Sequence, residues 1–528
     1  MSRLRRAAAG AAVFVVLSLV GASGASADSF TRGTLVQVSG GSPIPADCIG
    51  DTNASASSVN VFNSEVEPHV AVDPSDPLHL VGAWQQDRWN DGGARGLVTA
   101  ASFNGGLSWT LNALTKSSSC TGGTAANGGN YERASDPWVS ISPDGTTYLM
   151  SLSVDTNPGG FGIHPNAMLA MRSLDGGRTW EDPITLKRDD ELGTALNDKN
   201  TLTADPTDPD SELAYAVWDR LVGPPGEPPT PVAFENAIVG RGPTWFARTT
   251  DGGDSWEPAR IIFEAGTNNQ TIGNQIVVTG SGDLVNAFDL IRGFANPGGT
   301  RGFNIAVIRS EDKGDTWDKN ATIVDRHFSF QGVVIDPDNP DPNTRRVRTG
   351  DILPEVAADL NSEAVYLVWQ DMRFGPRSSV AFSQSLDGGE TWSPTVKINQ
   401  TPDLTNDLNE QAFTPMVRVS DDGTVTVTYY DFRAEEDEVA PETPLNTDAF
   451  AIHCHATEVD CSEPSNWSDE IQLTDDSFDM RQAPFANGSF VGDYVGLDTD
   501  GTKMFPFWSM PAAGDPANVY VRALTPTP

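Results

Sequence analysis

The octapeptide SLDGGRTW, Ser173–Trp180, decides the fold because close copies of it recur along the chain. An Asp or Asn side chain can accept backbone N–H groups within its own turn, and a Gly pair can supply the positive φ that a tight hairpin needs. The Ser or Thr hydroxyl can bond back across the turn, and the Trp can cover it. We interpret the motif as a structural hairpin brace, because nothing in it is poised for chemistry. The copies are SFNGGLSW (102–109), SLDGGRTW (173–180), TTDGGDSW (249–256), SEDKGDTW (310–317) and SLDGGETW (385–392).

The brace is similar to the Asp box, or BNR repeat, of the sialidase-like β-propeller superfamily. Five copies cover most of the chain, and the resemblance is specific for fold and much less specific for reaction. It implies an all-β protein built as a single β-propeller of four-stranded blades. It also implies a secreted bacterial protein related to exo-alpha-sialidases, although the F/Y-R-I-P motif that carries the first substrate-binding Arg of that family is missing here.

Apolar strands repeat in phase with the brace and define a unit of four strands, with the brace between the third and the fourth. Five units carry a brace. A sixth, at about 410–474, has Cys454 and Cys461 where the brace should be, and a seventh begins at 491 and ends one strand short. The segment GTLVQVSG (33–40) could supply the missing strand and close the ring, which would remove the open sheet edges. The sequence therefore favours seven blades, with six as the alternative.

Composition and the N-terminus set the broad class of protein. The 528 residues include 50 Gly and 37 Pro, and the formal net charge of −38 disfavours binding to nucleic acid or to anionic membranes. Residues 1–27 resemble a secretory signal peptide, with basic, apolar and small-residue parts in order. We expect an N-terminal segment at 28–64, the propeller at 65–528, and a secreted, extracellular, monomeric protein with no membrane anchor after cleavage.

Four cysteines in a secreted chain favour two disulfides over a metal site, because their spacings fit no zinc pattern. Three pairings are possible, and we prefer Cys48–Cys120 together with Cys454–Cys461. No cofactor is expected. Calcium could bind the Asp-rich stretches DPSDP (73–77), DPTDPD (205–210) and DPDNPDPN (336–343), although such stretches more often form turns without a metal.

The functional pocket should lie around the axis, on the face away from the braces, where inner strands start and second strands end. The candidate arginines at these places are Arg88, Arg220, Arg348, Arg373 and Arg433. Two interpretations stay open for them. Each Asp-Arg pair could be a structural clamp between blades, or several arginines could converge and hold a carboxylate by paired hydrogen bonds, as the sialidase arginine triad does. Arg348 or Arg88 could stand in for the missing motif.

The resemblance also implies catalytic roles: a Tyr nucleophile with a Glu as its base, and an Asp as acid/base. We expect Tyr494, or as second choice Tyr430, as the nucleophile and Glu67 or Glu355 as the base. The acid candidates are Asp87, Asp136 and Asp351.

Two classes of function remain. The first is a sialidase-like glycoside hydrolase acting on an extracellular, acidic glycan. The second is a non-catalytic propeller that binds glycan or protein. A polysaccharide lyase that acts on uronate-containing polymers is a further alternative to the hydrolase.

Overall fold

The computed structural model describes residues 30–526, apart from 157–162, 191–194, 209, 224–239, 294–295, 297–300, 329–332, 339–345, 403–406, 436–443 and 513. The signal peptide expected at 1–27 lies outside the described residues. Strands dominate, and the helical turns found in the described part of the chain are of the short 3-10 type. They span Ser119–Thr121, Asp407–Glu410, Pro464–Asn466 and Met480–Gln482. No helix among the described residues has the length and apolarity needed to cross a membrane.

Two short strands come first, and six four-stranded units follow. The leading strands are β1 (Phe30–Arg32) and β2 (Val36–Gln37). The first unit contains β3 (Glu65–Asp73), β4 (Asp76–Arg88), β5 (Ala94–Ser102) and β6 (Thr110–Asn112). The second contains β7 (Arg133–Ile141), β8 (Thr147–Thr156), β9 (Ile163–Ser173) and β10 (Ile184–Asp189). The third contains β11 (Ala195–Ala204), β12 (Leu213–Val222), β13 (Thr244–Thr250) and β14 (Arg260–Phe263).

The fourth unit contains β15 (Asn269–Val278), β16 (Leu284–Arg292), β17 (Asn304–Ser310) and β18 (Thr322–Arg326). A link then forms β19 (Val333–Ile335) and β20 (Arg346–Arg348). The fifth unit contains β21 (Glu355–Ala358), β22 (Val365–Asp371), β23 (Ser379–Ser385) and β24 (Val396–Lys397). The sixth contains β25 (Ala412–Val419), β26 (Thr424–Asp431), β27 (Asn446–His455) and β28 (Ile471–Gln472). A second link forms β29 (Phe478–Asp479) and β30 (Ser489–Phe490).

The last group of strands brings the two ends of the chain together. It contains β31 (Gly496–Thr499), β32 (Met504–Ala512), β33 (Asp515–Val521) and β34 (Leu524–Pro526). β2 pairs antiparallel with β33, so that Val36 lies opposite Val521, and β1 pairs with β34. The sheet β31–β32–β33–β2 therefore takes its outer strand from the N-terminal segment.

The units follow one another around an axis. The first strands of consecutive units contact each other in chain order, and β31 contacts β3. Large aromatic side chains near the ends of the second strands are buried between neighbouring sheets; three of them, Trp84, Trp218 and Trp369, have no exposed surface. Burial of such rings contributes strongly to packing because each removes roughly 150–250 Å² from water. This all-β propeller architecture confirms the expected fold class.

The braces have the geometry that their sequence predicts. In the second unit Gly176 and Gly177 have φ of 72° and 80°. Asp175 accepts hydrogen bonds from the backbone N–H of Thr179 at 2.8 Å and from its hydroxyl at 2.7 Å. The indole N–H of Trp180 donates to Thr99 Oγ1 of the preceding unit at 3.0 Å. The brace therefore fixes its own hairpin and also contacts the neighbouring blade.

Both expected disulfides are present: Cys48 is bonded to Cys120 and Cys454 to Cys461. The second lies between β27 and β28, where the sixth unit lacks a brace.

The braces and the Asp-Arg pairs lie at opposite ends of each sheet. In the third unit Asp219, near the end of β12, pairs with Thr244 at the start of β13, whereas Leu213 at the start of β12 pairs with Thr250 next to the brace. We call the two faces of the disc the brace face and the opposite face.

Candidate active site

The first strands of five units share a β-bulge near the opposite face. The register shifts between Val66 and His69 in β3, and at the equivalent place in β7, β11, β15 and β25. The residue at each bulge has a positive φ: Glu67 (52°), Asp136 (52°), Lys199 (47°), Gly273 (70°) and Thr414 (49°). A left-handed conformation is unfavourable for residues other than glycine and is found preferentially at functional sites.

The bulges of neighbouring units bring charged groups together. Nζ of Lys199 lies 2.7 Å from Oδ2 of Asp493, 3.6 Å from Oε1 of Glu67 and 3.9 Å from Oδ2 of Asp136. These four side chains come from different parts of the ring, and the carboxylates of Glu67, Asp136 and Asp493 are almost fully buried. We call them, together with Arg88 and Arg348, the axial cluster.

Two arginines complete the axial cluster. Arg348 binds Asp493 through two hydrogen bonds, Nε to Oδ1 at 2.8 Å and an Nη to Oδ2 at 2.5 Å. Arg88 donates to Oε1 of Gln85 at 2.9 Å, and Gln85 in turn donates to Oε2 of Glu67. Both guanidinium carbons lie over the ring of Phe490, Arg88 at 5.1 Å and Arg348 at 4.7 Å from the ring centre.

Within the axial cluster the pKa of Glu67 is raised and that of Asp493 is lowered. Burial raises the pKa of Glu67 to about 7; the positive charge of Lys199 opposes this rise, and the charges of Asp136 and Asp493 add to it. Burial also acts on Asp493, but Arg348 and Lys199 outweigh it and hold the pKa of this group far below its usual range. Glu67 can therefore carry a proton near neutral pH while Asp493 is ionised, which is the kind of division that acid/base catalysis uses.

The two candidate nucleophiles are both engaged with backbone carbonyls. The hydroxyl of Tyr494 donates to Pro137 O at 3.1 Å, and its ring packs against Trp138. Burial, together with the negative charges of Glu67 and its neighbours, raises the pKa of Tyr494. The hydroxyl of Tyr430 donates to Ser509 O at 2.8 Å in an apolar cluster of the sixth and seventh sheets. Tyr494 thus lies beside the axial cluster, and Tyr430 does not.

The remaining acidic candidates have different surroundings. Asp87 is tied to Arg95 at 3.0 Å and accepts from Ser42 and from the backbone of Asn63, so it fastens the N-terminal segment to the first unit. Asp351 is buried ahead of β21, where its charge helps to raise the pKa of His327. Glu355 is buried, and burial raises its pKa to about 8, although the charge of Arg418 and a hydrogen bond with Gln275 oppose this rise. The axial cluster contains none of these three.

Three of the five candidate arginines form clamps. Arg220 binds Asp189 of the second unit through Nε at 2.9 Å and an Nη at 2.5 Å. Arg373 pairs with its own Asp371 at 2.9 Å and also contacts Asp325 of the fourth unit. Arg433 contacts Asp431 and bonds Glu470 at 2.5 Å. The five candidate arginines therefore fall into two groups. Arg220, Arg373 and Arg433 hold sheet edges together, and Arg88 and Arg348 lie at the axis.

Sequence reasoning assigned no role to Lys199 or Asp493, although both lie at inner-strand starts. Lys199 could have been recognised in the sequence by its place within the repeated unit. Glu67, Asp136 and Thr414 each precede a Pro, and Lys199 occupies the same place in its unit although Asn200 follows it.

In the two Asp-rich turns at 73–77 and 205–210, the first Asp side chain accepts hydrogen bonds from within its own turn. Asp73 accepts from the backbone N–H and the hydroxyl of Ser75, at 2.8 and 2.7 Å, and Asp205 binds Thr207 in the same way. Within the described ranges no three His, Cys, Asp or Glu residues are grouped so as to hold a metal ion.

Comparisons with known proteins found one relative in sequence and several similar solved structures. No family model matches the chain. A sialidase of Micromonospora viridifaciens is 25% identical over 309 residues, which are 50% of this chain and 46% of that protein. The chain therefore spans less than half of the curated relative that it matches.

Several solved structures are similar at low identity. A Hadza microbial sialidase is 18% identical, with a TM-score of 0.43, over 70% of this chain and 64% of that one. An alpha-L-arabinanase of Penicillium chrysogenum, complexed with arabinobiose, is 12% identical, with a TM-score of 0.45, over 94% and 98%. NanB sialidase of Streptococcus pneumoniae is 10% identical, with a TM-score of 0.38, over 92% and 71%.

Proposed function

We propose that this chain, a member of the sialidase-like β-propeller superfamily, is a secreted glycoside hydrolase whose active site is the axial cluster. One observation carries the proposal: a single ammonium group, Nζ of Lys199, lies within 4 Å of carboxylates from three parts of the ring. Glycosidases of most families act with a pair of carboxyl groups on either side of the scissile bond. Glu67 and Asp136 supply such a pair here, on neighbouring units and at equivalent bulges.

The two carboxyl groups would have different roles. Glu67, whose pKa of about 7 follows mainly from burial, would donate a proton to the leaving oxygen as the general acid. Asp136 would act on the sugar or on the attacking water as nucleophile or base. Lys199 would offset the negative charges of Asp136 and Asp493, which repel each other and oppose the ionisation of Glu67.

The charge of the cluster supports an acidic glycan as the substrate. Arg88 and Arg348 lie over the same Phe490 ring. Burial lowers the pKa of Arg88, the charge of Glu67 opposes this, and repulsion from Arg348 adds to the lowering. Nε of Arg88 is buried without a hydrogen-bond partner among the described residues. A sugar carboxylate placed there would accept this hydrogen bond and reduce the repulsion.

This carboxyl pair replaces the Tyr nucleophile that the family resemblance suggests. In the structure the Tyr494 hydroxyl donates to Pro137 O, and no described glutamate is within hydrogen-bonding distance of it. We therefore propose Asp136 as the group that acts on the anomeric carbon, and Tyr494 as a wall of the site.

A panel of chromogenic sialosides, arabinofuranosides and uronides tests the proposal with the purified full chain. We expect Asp136→Asn to lower kcat/KM by at least about 100-fold on any substrate that the wild type cleaves. Asp205→Asn is the matched control, because this buried Asp lies at the brace face; its kcat/KM should stay within about threefold of the wild type. Tyr494→Phe should also stay within about threefold, since it keeps the ring and its packing. Full activity in Asp136→Asn, or collapse of activity in Tyr494→Phe, would contradict the roles proposed here.

A non-catalytic glycan-binding propeller is the second candidate. It is favoured by the pairing inside the cluster, because Arg348 and Lys199 are already engaged with Asp493. Under this alternative the wild type binds acidic oligosaccharides saturably in calorimetry and releases no product. A lyase of uronate-containing polymers would instead generate unsaturated products, which are recognised by their ultraviolet absorbance.

Secretion is part of the proposal. Both disulfides support it, because such bonds persist mainly in oxidising compartments. N-terminal sequencing of protein exported by a bacterial host should find cleavage after Ala27.

A further inference from the structure

The axis contains a hollow at the end away from the axial cluster. A cavity of about 240 Å³ is lined by the inner strands of all seven sheets and by their turns at the brace face. The cluster residues precede these lining residues on the same strands: Glu67 precedes Ala71 in β3, and Lys199 precedes Leu202 in β11. The cavity is therefore a separate site, which opens on the brace face.

Arg418 is the one basic residue that lines this cavity in the described part of the chain. Its Nε donates to Oδ1 of Asp498 at 3.1 Å, and the other oxygen of Asp498 accepts from the backbone N–H of Val72 at 2.7 Å. The two terminal amino groups of Arg418 have no hydrogen-bond partner among the described residues. An arginine held at one edge presents its remaining donors in a fixed, planar arrangement that suits an anion.

Two further donors lack partners near Arg418. His69 stacks on the cavity-lining Trp138 at 3.8 Å, and its Nδ1 accepts from the backbone N–H of Val139 at 3.4 Å. The proton of the neutral ring therefore lies on Nε2, which is buried without a partner. Oε2 of Glu355 is also buried without a partner, and the pKa of about 8 that burial produces leaves this group protonated near neutral pH. The charge of Arg418 acts on both residues.

We propose that the inner end of this cavity binds a small monovalent anion, such as a short carboxylate, between Arg418, His69 and Glu355. His69 stands two positions before the lining Ala71 in β3, and Glu355 two positions before the lining Ala357 in β21, so both lie on the same side of their strands as these lining residues, towards the inner end of the cavity. One acceptor with a negative charge would satisfy their donors and those of Arg418. The rim of the cavity carries Asp359, Asp421 and Asp500. Because these carboxylates repel multiply charged anions, the site should select a small anion with a single charge.

Calorimetric titration with sodium formate tests this site in the full chain, with sodium gluconate added so that the ionic strength stays constant. We expect saturable binding to the wild type and a Kd at least tenfold weaker in Arg418→Gln. Arg309→Gln is the control, because Arg309 is also on the brace face and equally exposed, at 23% against 24% for Arg418. It should bind formate like the wild type.

His69→Phe provides a second variant, which keeps the stacking on Trp138 and removes the donor; it should weaken binding as Arg418→Gln does. If Arg418→Gln does not fold, the formate affinity of His69→Phe alone tests the proposed anion site. Absence of saturable formate binding to the wild type, or equal Kd values in the wild type and in both variants, would overturn the proposal. The readout is binding alone, so the result does not depend on whether the axial cluster hydrolyses glycosides.

Discussion

At the scale of single residues, the axial cluster depends on backbone conformations that its side chains do not favour. Glu67, Asp136 and Lys199 adopt a positive φ at bulges where the fourth unit has Gly273. Each such residue costs about 1–3 kcal/mol, and surrounding packing must compensate.

The sequence predicted part of this arrangement. Glu67 and Asp136 were expected near the axis because they begin inner strands. The arginines could not be sorted from the sequence, since a repeated Asp-Arg pair does not reveal which carboxylate faces it across the blade boundary. Arg220, for example, binds Asp189 of the preceding unit and not the adjacent Asp219. The direction of the Tyr494 hydroxyl likewise depends on tertiary packing.

His327 predicts a pH dependence of stability. Its ring is buried between Asp289, 2.6 Å from Nδ1, and the carbonyl of Gln370, 2.8 Å from Nε2. Burial lowers the pKa of His327, but the charge and hydrogen bond of Asp289 outweigh it and raise the pKa to about 8. The folded state therefore binds this proton more tightly than the unfolded state. The stabilisation is complete below pH 6.5 and is lost as the pH rises through about 8, by about 2 kcal/mol.

Urea unfolding at pH 6 and pH 9 measures this effect. Glu67 and Glu355 also have raised pKa values, so they add a loss of the same sign. The comparison that isolates the histidine is His327→Gln, in which the decrease between pH 6 and pH 9 should be smaller by about 2 kcal/mol. An identical decrease in both proteins would show that His327 is not charged in the folded state.

At the scale of elements, the brace hairpins also connect the blades. Arg172, which precedes the second brace, binds Asp254 of the third brace at 2.7 Å. Arg248 binds Asp315 of the fourth in the same way, at 2.5 Å. The recurrence of the brace predicted the hairpins correctly. It did not predict these links, because they join residues of different copies and follow only from the order of blades around the ring.

Replacement of one brace carboxylate should destabilise the protein without affecting the axial cluster. Asp175→Ala removes the bonds from Thr179 and Ser173 in the second brace. We expect the free energy of unfolding to fall by about 1–2 kcal/mol in chemical denaturation, while kcat/KM stays unchanged. Asp182→Ala, which removes only an exposed pair with Lys116, should cost less than about 0.5 kcal/mol. Equal effects of the two substitutions would argue against the brace as a stabilising element.

At the scale of the whole molecule, the chain ends determine how the ring is completed. β2 supplies the outer strand of the last sheet, and Ser39 next to it bonds Glu65 of β3 at 3.1 Å. The repeat period and the unpaired N-terminal strand led to the expectation of seven blades rather than six, and this number stays a prediction. The sequence did not indicate the small sheet β19–β20–β30, because its strands come from links that have no repeat.

The two disulfides should differ in their contribution to stability. Cys48 and Cys120 are separated by 72 residues, and Cys454 and Cys461 by 7. In the chain-entropy account the longer loop stabilises by about 4 kcal/mol and the shorter by about 2 kcal/mol. Guanidinium unfolding of Cys48→Ala/Cys120→Ala should therefore show the larger loss. A larger loss in Cys454→Ala/Cys461→Ala would indicate that the local hairpin, and not the N-terminal tether, limits stability.

The central claim is that equivalent bulges of neighbouring blades assemble a catalytic centre on the axis. Its most direct test compares kcat/KM of Glu67→Gln and Glu65→Gln on a glycoside that the wild type cleaves. Both residues are buried glutamates of β3, two positions apart, but Glu65 bonds Ser39 and Gln86 outside the cluster. We predict a loss of at least about 100-fold for Glu67→Gln and less than about threefold for Glu65→Gln. Equal activities of the two variants would contradict the account.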